Sequence, residues 1–545
     1  MIERHTIVRL LYAAVLTLCV IYLAAAVLVR PSLMPDPAYG LLVHKSMRAG
    51  APWNHMVEPD PANLARDASY FYAVWSPGQY AVPGWLIDLG MPTGRAIGVV
   101  SVAASLAGLA GWLWLFRLLD YDRVSTAIAG LIIAASRAFN YSFVSYVGSD
   151  VLAFAAFPLL ASGIIRLRDS RWLAPFAFVA VLVGFFAKNS LPIYLGGWIA
   201  GHAINELRGR GLASGVIRSA AFPVAAAAAA IVVIQLGYTS KGWNPLAYEP
   251  QVSGSPASYV LPSAMPLLAA AGWDDVFSRM FSHPDGAPLA FDYKRSSIFM
   301  GGLAAASLLG AVMAVRRQVT PHALMLLAFS AAVAAVFTAM LATGSAASLE
   351  LSRHYRLIGY VWLPLIVHAA LASRRAIATV AILLLAVPCA YGGASFVANW
   401  RRHHTHRASH SDHLQVTQLQ MTPRFVRLLQ MIDRELPGQS SVVVTPAPMY
   451  GLEFTRARVL ATSAVSDSAD RLRAERRAGT VDNLLVIAEV PAMGTEQQHA
   501  WLQTFVSYHQ WQSVDVDNHR LFVPLGQPVT QEWIQQRIAR LEPGW

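Results

Sequence analysis

Four short stretches place ionisable side chains where apolar runs of the chain begin or end. Asp36 lies in "LVRPSLMPDPAYGLLVHKSMRAG", Asp150 in "SYVGSDVLAFAAFPLL", Lys188 in "GFFAKNSLPIYL", and Glu350, Arg353, His354, Tyr355 and Arg356 in "ASLELSRHYRLIGYVWLPL". Two carboxylates on one side of a membrane can orient a hydroxyl acceptor, or act as a base and its hydrogen-bonding support. Arginine forks match phosphate oxygens bidentately and lysine adds a compact charge, so the cations suit an anion held at the surface. Each feature also has a plainer reading. Asp36 can cap a helix starting near Pro37, and Asp150 can cap the span it opens. Lys188 can snorkel out of lipid. The basic cluster can anchor to anionic headgroups, with Glu350 and Arg353 paired at helical spacing.

The elements that must position these groups follow from composition. Of 545 residues, 55% are hydrophobic and only 13% charged, against roughly a quarter charged in soluble globular chains. Apolar runs able to cross a ~30 Å hydrocarbon core recur over the first four hundred positions. About eleven spans are expected, at 7–29, 94–116, 124–141, 149–166, 172–187, 189–206, 214–237, 297–315, 321–343, 356–373 and 376–397. The runs do not alternate, which excludes a β-barrel. The first is too long for a secretory signal and has no small-residue cleavage site, so it reads as a retained helix.

The net charge of +11 does not point to nucleic acid, because much of the excess sits in short loops between apolar runs. Arg117 and Arg123, Arg166, Arg168 and Arg171, Arg208, Arg210 and Arg218, Arg316 and Arg317, and Arg374 and Arg375 all fall on the side of the N-terminus. By the positive-inside rule that side is cytoplasmic. Three large segments then face outward: the loops 30–95 and 238–296, and the chain beyond about 398.

The organisation expected is a membrane domain over 1–397, a polar linker over 398–413 and a soluble α/β domain over 414–545. In the first outer loop, Tyr39, Leu42, Val43 and Met47 recur at helical spacing and read as an amphipathic interfacial helix. In the tail, "TPRFVRLLQMIDREL" reads as a helix, and "SVVVTP", "NLLVIAEV", "QSVDV" and "HRLFVPL" as strands. The tail carries no phosphate loop or nucleophile elbow, which favours docking or acceptor recognition over a second enzyme. Cys19 and Cys389 lie in apolar runs and support neither a disulfide nor a cysteine zinc site. His403, His404, His406, His410 and His413 read as a solvated linker segment rather than a metal site. Trp53, Tyr70, Phe71, Tyr72 and Trp75 suit either sugar stacking or an interfacial belt. Trp243, Tyr248, Trp273, Asp274 and Asp275 are candidate acceptor contacts.

Taken in order, these features resemble a family: an acid just after the first span, a later "SPGQY", an Asp opening the fourth span, a Lys between the next two, "RHYR" before a late span, and an α/β tail. The resemblance is to the GT-C superfamily of polyprenyl-phosphate-sugar-dependent glycosyltransferases, in the branch of protein O-mannosyltransferases and the lipid A aminoarabinose transferase. It covers the whole chain, through short motifs whose weight lies in their order and sidedness. Two departures mark this chain: a single acid in "MPDPAYG" where several relatives have two, and "VWSPGQY" where the lipid A branch has a lysine before the proline.

The resemblance implies that Asp36 is the catalytic base or acceptor-orienting group and Asp150 a supporting acid. It implies that Lys188, Arg353 and Arg356 hold the donor phosphate. Tyr39, Trp75, Tyr80, His354, Tyr355 and Glu350 complete the candidate substrate contacts. The implied protein is an inverting glycosyltransferase of the bacterial inner membrane. Its partners are a polyprenyl-phosphate-linked sugar, membrane lipids and a periplasmic glycan, lipid or protein acceptor. No cofactor is expected; only convergence of Asp36, Asp150 and Glu350 would make a Mg²⁺ or Mn²⁺ site. The rival is a transporter or lipid flippase, which predicts charges at span midplanes, whereas here they gather at outer ends. A non-catalytic scaffold is a third reading.

Overall fold

The computed structural model describes residues 4–210, 216–242, 256–280, 297–316, 320–342, 352–405, 421–438, 440–461, 476–490 and 494–541. Glu350, Trp243, Tyr248, His406, His410 and His413 lie outside the described residues. The chain divides into two units. One comprises Met1–Leu28, Val100–Val144 and Ser149–Arg401, the other Val29–Val99, Ser145–Gly148 and Arg402–Trp545.

Each of the eleven apolar runs coincides with a helix. Six helices are long and apolar enough to cross a membrane: His5–Leu28, Thr93–Leu118, Ser149–Arg166, Ile217–Lys241, Ala323–Ala342 and Arg375–Thr405. Four of the other runs are shorter apolar helices, within Arg123–Ala135, Leu173–Ala187, Met300–Arg316 and Arg356–Leu371. The remaining one, Leu191–Arg210, carries His202, Glu206, Arg208 and Arg210 in its second half. By length and composition, therefore, six of the described helices qualify as candidate spans. The last helix continues through 398–405, where the sequence suggested a linker. Within the run 124–141, Ser136 takes an extended backbone that ends one helix and caps the next.

One apolar helix was not legible in sequence. Pro256–Ala271 contains Pro262 and Pro266 and lies in the segment read as an outer loop. It packs against Arg356–Leu371 so closely that a Cβ on Gly359 would sit 2.2 Å from the Pro266 carbonyl oxygen. Small residues permit such backbone approach between helices in lipid, where packing rather than water exclusion drives association. Aromatic rings form the centre of the first unit. Trp112 meets Phe157 at 5.6 Å, Phe157 meets Tyr194 at 6.2 Å, and Tyr194 meets Phe337 at 5.6 Å, all largely edge-on or tilted. Such pairs add stabilisation beyond the area they bury.

In the second unit, strand β1 (Ser32–Leu33) pairs in parallel with β4 (Ser145–Tyr146), and β2 (His55–Asp60) forms an antiparallel pair with β3 (Asn63–Phe71). A five-stranded sheet has the order β6-β5-β7-β9-β8. Its strands are β5 (Ser441–Thr445), β6 (Arg458–Ala461), β7 (Asn483–Glu489), β8 (Trp511–Val516) and β9 (His519–Pro524). β5 runs parallel to β6 and β7, while β7 and β8 pair antiparallel to β9. The four tail strands expected from sequence are present; β6 was missed. Helix Pro423–Glu435 is capped by Thr422, whose hydroxyl accepts from the Phe425 N–H. The segment 30–95 contributes to this core. Leu64 of β3 is buried with Val442, Val444, Leu460 and Trp501.

Candidate functional site

Asp150 opens the helix Ser149–Arg166, and Lys188 ends Leu173–Ala187 in an extended conformation that turns the chain into the next helix. The turn lets the Lys188 ammonium donate to Asp150 Oδ1. Its side chain is 9% exposed, so it is buried against the acid rather than snorkelling freely. From the turn before Arg356–Leu371, Arg353 Nη1 reaches Asp150 Oδ2 at 3.4 Å. One carboxylate is therefore shared by two cations in a largely buried setting.

His354 lies behind this trio. Burial, with Lys188 second, pulls its imidazole down to about 3, so the ring is neutral. It is 8% exposed, and neither ring nitrogen has a hydrogen-bond partner among the described residues. Its backbone carbonyl is held by the Tyr194 hydroxyl. Tyr355 is fully buried and packs edge-on against Phe337 at 5.7 Å. Tyr194 and Tyr355 thus fix the turn carrying Arg353 and His354 to the aromatic core.

Arg356 is placed differently. Its Nη2 donates to Asp274 at 2.7 Å and to Asp275 at 3.3 Å, and Arg137 Nη1 donates to Asp275 at 2.8 Å. Burial, then the neighbouring Asp274 charge, raises Asp275 above the usual carboxylate range. Two acids against two arginines balance, so this cluster ties the helix Trp273–Met280 to its neighbours. Trp273 donates its indole N–H to the Leu384 carbonyl at 2.8 Å. The roles of Asp274 and Asp275 were missed because their partners lie roughly 80 and 140 positions away, with no local spacing to announce them.

Asp36, Tyr39, Trp75 and Tyr80 belong to the second unit. The helix carrying Asp36 spans Pro35–Arg48 with Met34 as its cap, so Asp36 sits in the first turn and is not the cap. Its carboxylate there is favourable to the helix dipole. Gln79 Nε2 donates to the Asp36 carbonyl at 3.4 Å, and the Tyr146 hydroxyl donates to the Gln79 carbonyl at 2.6 Å. Gly148, at φ +64°, packs against Gln79 and Pro37 where a side chain would clash. Gln79, inside "SPGQY", was not singled out in sequence. Its buried Oε1 has no partner among the described residues. Tyr39 stacks on Tyr72 at 6.4 Å. Tyr80 is wholly buried with its hydroxyl donating to Asn54, so it supports the loop and offers no exposed face. Trp75 is half-buried beside them. The apolar residues of Pro35–Arg48, including Leu41, Leu42 and Val43, are buried in this unit, so protein covers the face that sequence assigned to the membrane interface.

No family model and no curated protein matches the chain. Solved structures to which it is similar include ArnT from Cupriavidus metallidurans bound to undecaprenyl phosphate, at 13% identity and TM-score 0.45, over 96% of this chain and 98% of that one. The oligosaccharyltransferase of Archaeoglobus fulgidus is 13% identical with TM-score 0.48, over 92% of this chain and 73% of that one. The mycobacterial arabinofuranosyltransferase AftD is 13% identical with TM-score 0.43, over 95% of this chain and 40% of that one.

Proposed function

We propose that the protein is an integral-membrane glycosyltransferase that moves a sugar from a polyprenyl phosphate to a glycan, lipid or protein acceptor of the bacterial envelope, on the periplasmic face. The observation that carries this reading is the shared carboxylate: Asp150 meets both Lys188 and Arg353 at the end of apolar helices. Two cationic donors gathered at one carboxylate in a low-dielectric setting suit an incoming anion, and a lipid monophosphate has the right charge and the right solvent. The acceptor hydroxyl attacks the anomeric carbon, and the bond from that carbon to the phosphate oxygen breaks, its electron pair staying on the phosphate. Lys188 and Arg353 stabilise the charge that grows there. Asp36 takes the acceptor's proton, an assignment that rests on the sequence resemblance. The step routes no charge through a metal. The eleven apolar helices cross the membrane in this reading, with the N-terminus cytoplasmic.

The test is transfer of labelled sugar from polyprenyl phosphate into an envelope extract by purified protein. Wild type is expected to label an acceptor and Asp36→Asn to lose nearly all of that labelling. Equal labelling by both would remove Asp36 from the chemistry, and no labelling by either would remove the transferase reading.

A further inference from the structure

Helix Pro35–Arg48 carries Asp36 in its first turn and Lys45 in its last. The two are separated by about two and a half turns at 3.6 residues each, so they stand on opposite faces of the helix. Lys45 is therefore on the back of the element that presents Asp36, and whatever holds the back decides which way the front is turned.

The hold comes from the tail, which belongs to the same unit. The Lys45 ammonium donates to the carbonyls of Gly451 and Phe454, the former at 3.3 Å. Gly451 closes the short helix Pro448–Gly451 that follows β5. It has no room for a side chain: a Cβ there would lie 2.8 Å from Val459 and 3.4 Å from Leu42 of the Asp36 helix. Phe454 leads into a loop that Asp433 fixes from the other side. That buried carboxylate accepts from the Thr455 N–H and hydroxyl at 2.8 and 2.7 Å, and from the Arg456 and Ala457 N–H groups at 3.0 and 3.2 Å. Its charge also favours the Lys45 ammonium. Lys45 thus docks on a point that the tail's own hydrogen bonds keep in place.

The side of the helix nearer Asp36 is fixed within the segment 30–95. Gly40 packs on Tyr80, where a Cβ would lie 2.8 Å from the ring, and Gln79 donates to the Asp36 carbonyl at 3.4 Å. With one clamp on each side, the helix cannot roll about its axis. We propose that Lys45 is a positioning residue: through it the tail holds the back of the helix and sets the direction in which Asp36 is presented. The proposal rests on the transferase reading, in which Asp36 takes the acceptor's proton. Misalignment of a reacting group lowers turnover without weakening donor binding, and a displacement of ~1 Å can cost about a hundredfold.

The test is initial-rate kinetics on the purified full-length protein in detergent, with labelled polyprenyl-phosphate sugar and an envelope extract, each variant assayed below its melting transition. Lys45→Met is expected to lower kcat about tenfold or more with the donor KM unchanged, and Lys45→Arg, which keeps a charged donor, to recover most of that loss. Lys45→Gln decides the matter if Lys45→Met is melted. No transfer by wild type, or undiminished transfer by Asp36→Asn, would remove the reading on which the proposal rests. Where wild type transfers and Asp36→Asn does not, the proposal alone is overturned if folded Lys45→Met turns over like wild type, if its loss is confined to the donor KM, or if Lys45→Arg shares the loss in full.

Discussion

Replacing Glu58 with glutamine should change how the protein's stability depends on pH. Burial pushes the Glu58 carboxyl up to about 8 from an ordinary 4.5, against the lowering effect of the Tyr70 hydroxyl. The folded state therefore keeps a proton between 4.5 and about 8 that the unfolded chain gives up. Stability is full below 4.5 and is lost as pH rises through the folded value. At about 1.4 kcal/mol for each tenfold, the loss by pH 9 is about 5 kcal/mol. Glutamine mimics the neutral acid and carries no such loss. Lys45 acts in the opposite sense: burial pulls its ammonium down to about 8, so its contribution recovers between pH 8 and its unfolded value. Wild type should have a stability minimum near pH 8. Melting of the full-length protein and of Glu58→Gln in detergent, at intervals from pH 5 to 10, tests this. The two should agree near pH 5, with the variant melting higher by pH 9. Parallel curves across the range would refute the reasoning, because they would mean that Glu58 ionises as freely folded as unfolded.

Three further outcomes follow from packing and charge. Asp150→Asn should destabilise the first unit by about 3–5 kcal/mol by leaving the buried Lys188 ammonium without its carboxylate, and adding Lys188→Met should restore much of it; a double-mutant cycle on thermal stability reads the coupling. Arg356→Gln should destabilise by a similar ~3–5 kcal/mol, with partial rescue by Asp274→Asn, because the pair it leaves is acidic and buried; no rescue would contradict the structural role assigned here. Gly359→Val should cost about 1–3 kcal/mol or more through overpacking, read as a lower melting temperature, since its Cβ would meet the Pro266 carbonyl at 2.2 Å.

The apolar runs were legible because a lipid-facing helix must be apolar over its length, a property written locally in sequence. Tail strands were legible for the same reason, as short β-branched runs bounded by turn residues. What escaped was set by long-range pairing. Arg353 and Asp150 are 203 positions apart, and only their common sidedness hinted that they might meet. The grouping of Lys188, Arg353 and Arg356 as one phosphate clamp illustrates the limit. Composition makes the three alike, while the fold gives two of them to Asp150 and ties the third to Asp274 and Asp275. Helix Pro256–Ala271 was hidden by its two interior prolines, Pro262 and Pro266, which read as loop signals in isolation. Asp36 looked like a cap because Asp before Pro favours that role; the chain enters the helix one residue before it, at Pro35, so Met34 takes the position. The hairpin β2–β3 was missed because its burial pattern alternates poorly along β3 and its support comes from the distant tail.

The central claim is that Lys188 and Arg353 hold a lipid phosphate, and the most direct measurement is binding of labelled undecaprenyl phosphate to the purified full-length protein, set against undecaprenol. Wild type should bind the phosphate form in preference to the alcohol. Arg353→Gln, at a half-exposed side chain, should lose about tenfold or more of that preference, as removal of one charged hydrogen-bonding partner implies. Equal binding of phosphate and alcohol by wild type, or an unchanged preference in Arg353→Gln, would contradict the account.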